Sequence, residues 1–334
     1  MSLRAILSVL TLFLLPLAPL AAAPWQPVES SVDGLQVVAN PRESRDGEVA
    51  VVAAERWRLG ADEENDPLLG RITDVVVDGE GLAYLLDANL SHIHVVGPDG
   101  EVLRTIGGEG DGPGEFRNAS RLSFLAGGDL GIMEMMPGGV VVMDPYGEPR
   151  PGFRPGGAEG HAMMLPQNFG ADERGVVLGH VATSFGADGV VTEFILGRYT
   201  REGQLLATLA EKREEQEGGE ISLSLGDGDD DFARRWSLGE DGRVVGFRYA
   251  FDYELQVYAP DGSLERIIRR DYETLRRPDA ELAAAKRRAE EQNRRFSGVT
   301  VEVEERAHDI REVFPRPGGT VWVATSEGAR ARVE

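Results

Sequence analysis

Asp87, Asn89 and His92 fall within six residues, and two further acids, Glu109 and Asp111, follow in a glycine-rich stretch. Carboxylate, carboxamide and imidazole groups gathered on one face could hold a polar ligand, and their oxygens could also accept Ca²⁺. His92 and His94 alternate, so both would project from one side of a strand, as two metal ligands could. Two ligands do not make a site, and spacing supplies no third, so no metal ligand is assigned. Asp227-Gly-Asp-Asp-Asp231 places carboxylates at 227, 229 and 231, like the opening half of a calcium loop. Phe232 stands where that loop needs glycine and Leu238 where it needs a bidentate Glu, so an exposed acidic loop is the better account. A nucleophile is equally hard to build. Cysteine and the Gly-x-Ser-x-Gly elbow are absent, and the five histidines (His92, His94, His161, His180, His308) fall in no recognised motif, so no catalytic residue is assigned.

The elements that must position these groups repeat. Ile72–Val77 leads through the turn Asp78-Gly-Glu-Gly81 into Leu82–Asp87, then Ile93–Val96, the turn Pro98-Asp-Gly100 and Glu101–Ile106. Leu122–Leu125, Gly127-Gly-Asp129, Gly131–Glu134, Val140–Met143 and Pro145-Tyr-Gly147 follow the same plan, with both turns recurring 47 residues later. That is the length of one four-stranded propeller blade. The first turn returns at Gly175, Gly242 and Gly319, and the second at Gly203 and Gly262, so five units are countable by one marker and four by the other. Short alternating strands cornered by Gly, Asp and Pro give an all-β fold, a β-propeller of four-stranded blades. Leu35–Val38 and Glu48–Trp57 match the final strands of a blade that lacks its beginning, and are expected to complete the C-terminal blade and fasten the ring. An arm lying against the side of the domain is the other reading. Glu211–Asp231 reads as a solvated acidic excursion. Residues 279–296, with Asp279 as N-cap and a thin apolar face of Leu282, Ala285 and Ala289, read as one inserted surface helix.

In a propeller, the loop joining the second and third strands emerges on the same face as the connection to the next blade. Glu109, Asp111 and Glu115 would then lie near Asp87, Asn89 and His92. That face and the central channel, toward which inner-strand residues such as Asp74 could point, are the default place for a ligand.

Bulk properties narrow the partners. At 334 residues, 41% hydrophobic and 28% charged, the chain can bury a sizeable core. A formal charge of −22 repels nucleic acid, which is not expected as a partner. The glycine-rich loop opens a strand rather than a helix, so no helix N-terminus awaits a phosphate, and ATP and NAD are not expected. Residues 1–23 combine Arg4, an apolar run broken by Pro16 and Pro19, and Ala21-Ala-Ala23, which reads as a cleaved secretory signal. Residues 24–334 would then be the propeller domain, secreted or periplasmic, monomeric and without a membrane span after cleavage. With no cysteine there is no disulfide framework.

Gly107-Gly-Glu-Gly-Asp-Gly-Pro-Gly-Glu-Phe116, together with Gly81, Tyr84, Asp87, Asn89 and Ile93, closely resembles the NHL repeat, which uses such a loop between blades. The signal segment, the lead-in Trp57-Arg-Leu-Gly60 and the helical insertion are similar to exported bacterial six-bladed β-propeller proteins, a family mostly without assigned function. The likeness runs from about Glu48 onward and is sharp from Ile72 to Phe116. Six blades would need about one unit more than is visible, so either five units close the ring or the chain is C-terminally truncated, the reading we prefer. The implied function is a binding or scaffold module for a protein, peptide or glycan at the cell envelope, with no required cofactor and Ca²⁺ as an option. The alternative is a metal-dependent, lactonase-like hydrolase or lyase with its site in the channel.

Overall fold

The computed structural model describes residues 26–44, 54–60, 68–136, 138–155, 163–186, 189–217, 223–226, 230–295 and 299–327. The signal segment 1–23, residues 45–53, His161, Asp227 and Asp229 lie outside them. A hairpin of β1 (Val28–Val32) and β2 (Leu35–Asn40) comes first. The first meander follows as β3 (Ile72–Val77), β4 (Ala83–Asp87), β5 (His92–Val96) and β6 (Val102–Ile106). The second is β7 (Ala119–Phe124), β8 (Leu130–Glu134), β9 (Gly139–Met143) and β10 (Pro149–Phe153). The third is longer: β11 (Met163–Asp172), β12 (Gly175–Gly186), β13 (Gly189–Tyr199) and β14 (Leu205–Glu217). After β15 (Leu223–Gly226) the fourth comprises β16 (Trp236–Leu238), β17 (Val244–Gly246), β18 (Glu254–Tyr258) and β19 (Leu264–Arg270). The helix α1 (Asp279–Arg295), β20 (Val299–Glu302) and a last hairpin of β21 (Glu312–Arg316) and β22 (Thr320–Ala324) end the described chain.

Each meander is an antiparallel sheet in chain order, and the fold is a β-propeller. The turns form where the glycines fall: Gly81, Gly100 and Gly147 all have φ between 84° and 95°, a region that side chains with a Cβ avoid. Asp78 and Asp144 complete two of these turns by accepting backbone N–H bonds two and four residues ahead.

Alternation within a strand feeds two different seams. On β4, Tyr84 and Leu86 join Leu122, Leu130 and Ile132 of the second sheet, while Ala83 and Leu85 face the other way. That second face is covered by Trp57 and Leu59, the lead-in segment. On β8, Ile132 serves the first seam and Met133 the next, against Phe169, Leu178 and Tyr199. Val177 then joins Trp236 and Val244, and Val245 joins Ile310 and Val313. Burial on both faces is what a radially stacked sheet requires. Inner strands are also tied by polar bonds: Asp74 of β3 accepts from the Leu122 N–H (2.9 Å), and the Asn168 amide of β11 donates to the carbonyls of Arg234 and Trp236.

Three expectations are corrected. Leu35–Val38 does not complete the last unit: it lies in β2, which pairs in parallel with β19 and extends the fourth sheet to six strands, while β21 and β22 form a two-stranded sheet among the described residues; residues 48–53 of the same expectation lie outside them. The exposed outer edge of β19 offers unpaired backbone groups, and β2 takes them. Residues Glu211–Glu217 are not an excursion but the end of β14, paired with β13; one face is exposed and the other, with Lys212 over the Phe194 ring, half-buried, and Arg213 reaches Glu193 across the strands (3.4 Å). The following β15 pairs in parallel with β20. The helix begins at Asp279, but Leu282 N–H bonds the Pro278 carbonyl (3.0 Å), so Pro278 occupies the cap and Asp279 the first turn. There its charge complements the helix dipole and pairs with Arg276 (2.9 Å). Leu282 and Ala289 are the buried helix residues.

Phe116 is fully buried and fills the seam between the first two sheets, with Gly107 bringing the backbone against its ring. Phe116→Ala should destabilise the protein by about 3–5 kcal/mol in chemical denaturation, the usual cost of emptying an aromatic site in a packed core.

Candidate functional site

In each antiparallel meander, the loop between second and third strands and the connection leaving the fourth strand emerge at one end. Asp87, Asn89 and His92 lie at the β4–β5 corner, and Glu109 and Asp111 in the β6–β7 connection, at that shared end. Their side chains have different fates. Asp87 is fully buried, and its carboxylate accepts from the backbone N–H of Gly70 (2.6 Å), Arg71 (3.0 Å), Asn89 (3.1 Å) and Leu90 (3.1 Å). Burial works to raise its pKa, but those four donors outweigh it and hold the carboxyl below the usual value. Behind it sits His94, whose Nδ1 meets the Thr105 hydroxyl (3.2 Å) and whose Nε2 lies 3.8 Å from Asp87. Burial, partly opposed by Asp87, pushes the His94 pKa down. His92 is half-buried, its ring set edge-on to His94 with centroids 6.3 Å apart.

Asn89, Glu109 and Asp111 are exposed, and Asp111 lies 3.7 Å from Arg117. Glu115 turns back onto the Gly112 N–H (2.9 Å). Glu134, which accepts from the Arg117 N–H (2.7 Å), has its pKa raised by burial and by Asp111. The corner therefore holds its own loops together, and no three His, Asp or Glu side chains gather as a metal site among the described residues. Asp74 is spent on the tie to the second sheet.

A cleft opens at the equivalent corner of the fourth sheet. The β17–β18 loop supplies Tyr249, Phe251, Asp252 and Tyr253, the segment after β19 supplies Asp271, Tyr272 and Thr274, and the approach to β21 supplies Asp309, around a cavity of about 570 Å³. Tyr253 and Tyr272 lie ring to ring at 5.4 Å, and Phe251 packs edge-on against His308 at 5.5 Å. Asp309 is only 2% exposed; its Oδ2 accepts from the Thr274 hydroxyl (3.0 Å), and its Oδ1 has no hydrogen-bond partner. Burial pushes the Asp309 carboxyl up, against the pull of Thr274. Three arginines line the rim, each engaged within the chain: Arg248 with Asp230 (3.0 Å), Arg269 with Glu254 (2.8 Å), and Arg270 with the Arg42 carbonyl (2.7 Å).

Sequence reasoning named none of these cleft residues. The available signal was positional: Tyr249-Ala-Phe-Asp-Tyr253 occupies the same second-to-third-strand loop in its unit as Ala88–Ser91 does in the first, and carries three aromatic rings in five residues. Asp309 had no such marker, because its burial depends on a loop it meets only in the fold, where its N–H bonds the Ala250 carbonyl (2.7 Å).

No protein-family model matches this sequence, and no curated protein does. Among solved structures, virginiamycin B lyase from Staphylococcus aureus aligns at 11% identity over 58% of this chain and 54% of that one, with a TM-score of 0.32. A streptogramin B lyase aligns at 10% identity over 76% of this chain and 62% of that one, with a TM-score of 0.39. A Bacteroides fragilis protein described as exported aligns at 13% identity over 75% and 65%, with a TM-score of 0.42. The chain thus spans between about half and two thirds of the length of these structures.

Asp87 contributes stability that is fully present above its unfolded pKa of about 3.9 and is lost as pH falls through its lower folded-state value. Asp87→Asn should cost about 2 kcal/mol or more at pH 7 in urea unfolding and flatten the acid limb of the stability curve, because an amide cannot accept all four N–H bonds. Asn89→Ala, at an exposed position, should stay within about 0.5 kcal/mol of the parent.

Proposed function

We propose that this chain is an exported β-propeller that binds a peptide, protein or glycan through the cleft at the fourth sheet. Export rests on residues 1–23, whose charged start, apolar run and small-residue end have the form of a cleaved signal. The NHL-like reading rests on the loop Gly107–Phe116 and its place between two blades. The observation that carries the binding role is Asp309: a carboxyl group almost fully removed from water, with one oxygen unbonded, on a residue that lines a cavity together with aromatic rings. Leaving such a group unsatisfied is costly for folding, which is the pattern expected where binding rather than stability sets the residue. Rings give a ligand apolar area at little entropic cost, and the surrounding carboxylates and guanidiniums orient it. The alternative, a metal-dependent hydrolase or lyase, calls for three or more His, Asp or Glu side chains around an ion; among the described residues that group does not form.

The test is a defined array of peptides and glycans probed with the mature protein. Ligands found there should lose about tenfold in affinity with Tyr249→Ala, an exposed ring at the cleft rim, and remain within about twofold with Asn89→Ala at the first corner. Equal binding by both variants would place the site elsewhere.

A further inference from the structure

We infer that the fourth-sheet cleft takes a cationic group, an alkylammonium or guanidinium, that seats its charge on Asp309 and its alkyl stem against the tyrosines. The inference rests on the cleft being the binding site and adds the chemical class of what enters it. The charges in the cleft are unevenly used. Arg248 is neutralised by Asp230 and Arg269 by Glu254, while Arg270 bonds a neutral carbonyl, that of Arg42. Asp252 and Asp271 make no salt bridge among the described residues, Arg42 acting on Asp271 at longer range, and Asp309 keeps one bare oxygen although Arg306 and His308 lie near enough to attract its charge. Among the described residues, three carboxylates (Asp252, Asp271 and Asp309) stand against the one cleft guanidinium, Arg270, that no carboxylate neutralises, so the balance of the cleft is negative and disfavours an anionic ligand.

The rings point the same way. Arg306 lies over the Phe251 ring at 4.3 Å and Arg270 over Tyr253 at 6.0 Å, so two aromatic side chains at the cleft already hold cations. Those faces are taken, so an entering cation would use Tyr249 and Tyr272, which carry no cation among the described residues, and a carboxylate in a poorly hydrated setting, where a charge-assisted bond is stronger than at the surface. A neutral sugar or acylated amine would satisfy one hydrogen bond and leave the buried charge unpaired. The chain's overall charge of −22 adds attraction at long range but no selectivity for this cleft, so the test must separate the two.

The cation could belong to a peptide side chain or to a free polyamine, and both are assayed. The mature protein would be titrated calorimetrically at about 150 mM salt, near physiological screening, with tetralysine, with its fully Nε-acetylated counterpart, and with spermidine. Tetralysine or spermidine should bind with one-to-one stoichiometry, and the acetylated peptide at least tenfold more weakly. Spermidine matching tetralysine identifies a free polyamine as sufficient; tetralysine alone identifies a peptide. Asp309→Asn should weaken the cation at least tenfold, and Asp252→Asn, an exposed rim substitution that leaves the fold untouched, about threefold. Glu101→Gln, an exposed acid on the first sheet, serves as the charge control and should change nothing. Binding unaffected by both cleft variants, binding lost equally in Glu101→Gln, or no binding of either cation overturns the inference. Equal binding of the acetylated peptide, weakened by Tyr249→Ala, would overturn the cation while leaving the cleft as the binding site.

Discussion

The blade sheets of this protein are apolar on both faces, and neither face can be left to water. A strand such as β4 sends Tyr84 and Leu86 into one seam and Leu85 into the opposite one, so it needs a neighbour on each side. Stacking twisted sheets about an axis provides that neighbour at every step, and the seams follow in order from the Trp57 lead-in to the last hairpin. The glycine corners, the loop that carries Phe116 and the placement of the polar corners all serve this arrangement.

That constraint explains why several chemically attractive residues perform structural work. At the shared end of the sheets, backbone donors left over from turns must be satisfied, and a buried carboxylate does so at four positions at once in Asp87. Between inner strands Asp74 does the same for the Leu122 N–H, the Asn168 amide donates to the carbonyls of Arg234 and Trp236, and Arg198 joins Asp172 (2.7 Å) to the Gly242 carbonyl (2.8 Å) across the third seam. A fold without disulfides holds its inter-sheet joints with such bonds in addition to apolar contact.

The fourth-sheet corner departs from this economy. It uses the same loop positions but fills them with rings, and its buried acid is only half satisfied. The two corners share a topology and differ in what their side chains leave unbonded.

How much was legible in the sequence follows from the range of each interaction. The repeat, the all-β class and the turn positions depend on neighbours a few residues apart, so the spacing of Gly81, Gly100, Gly128 and Gly147 was enough to read them. The role of Asp87 was not legible: Asp-x-Asn beside a histidine looks the same whether its oxygens face a ligand or the N–H groups of Gly70 and Arg71, 17 and 16 residues away. Nor could spacing say that β2 would settle on β19 rather than on the final hairpin, since both offer an edge and only packing decides between them. Local chemistry thus determined the blades. Long-range burial decided which acids are consumed by the backbone and which one, Asp309, keeps an oxygen free, because solvent exclusion is a property of the assembled sheets and not of any stretch of chain.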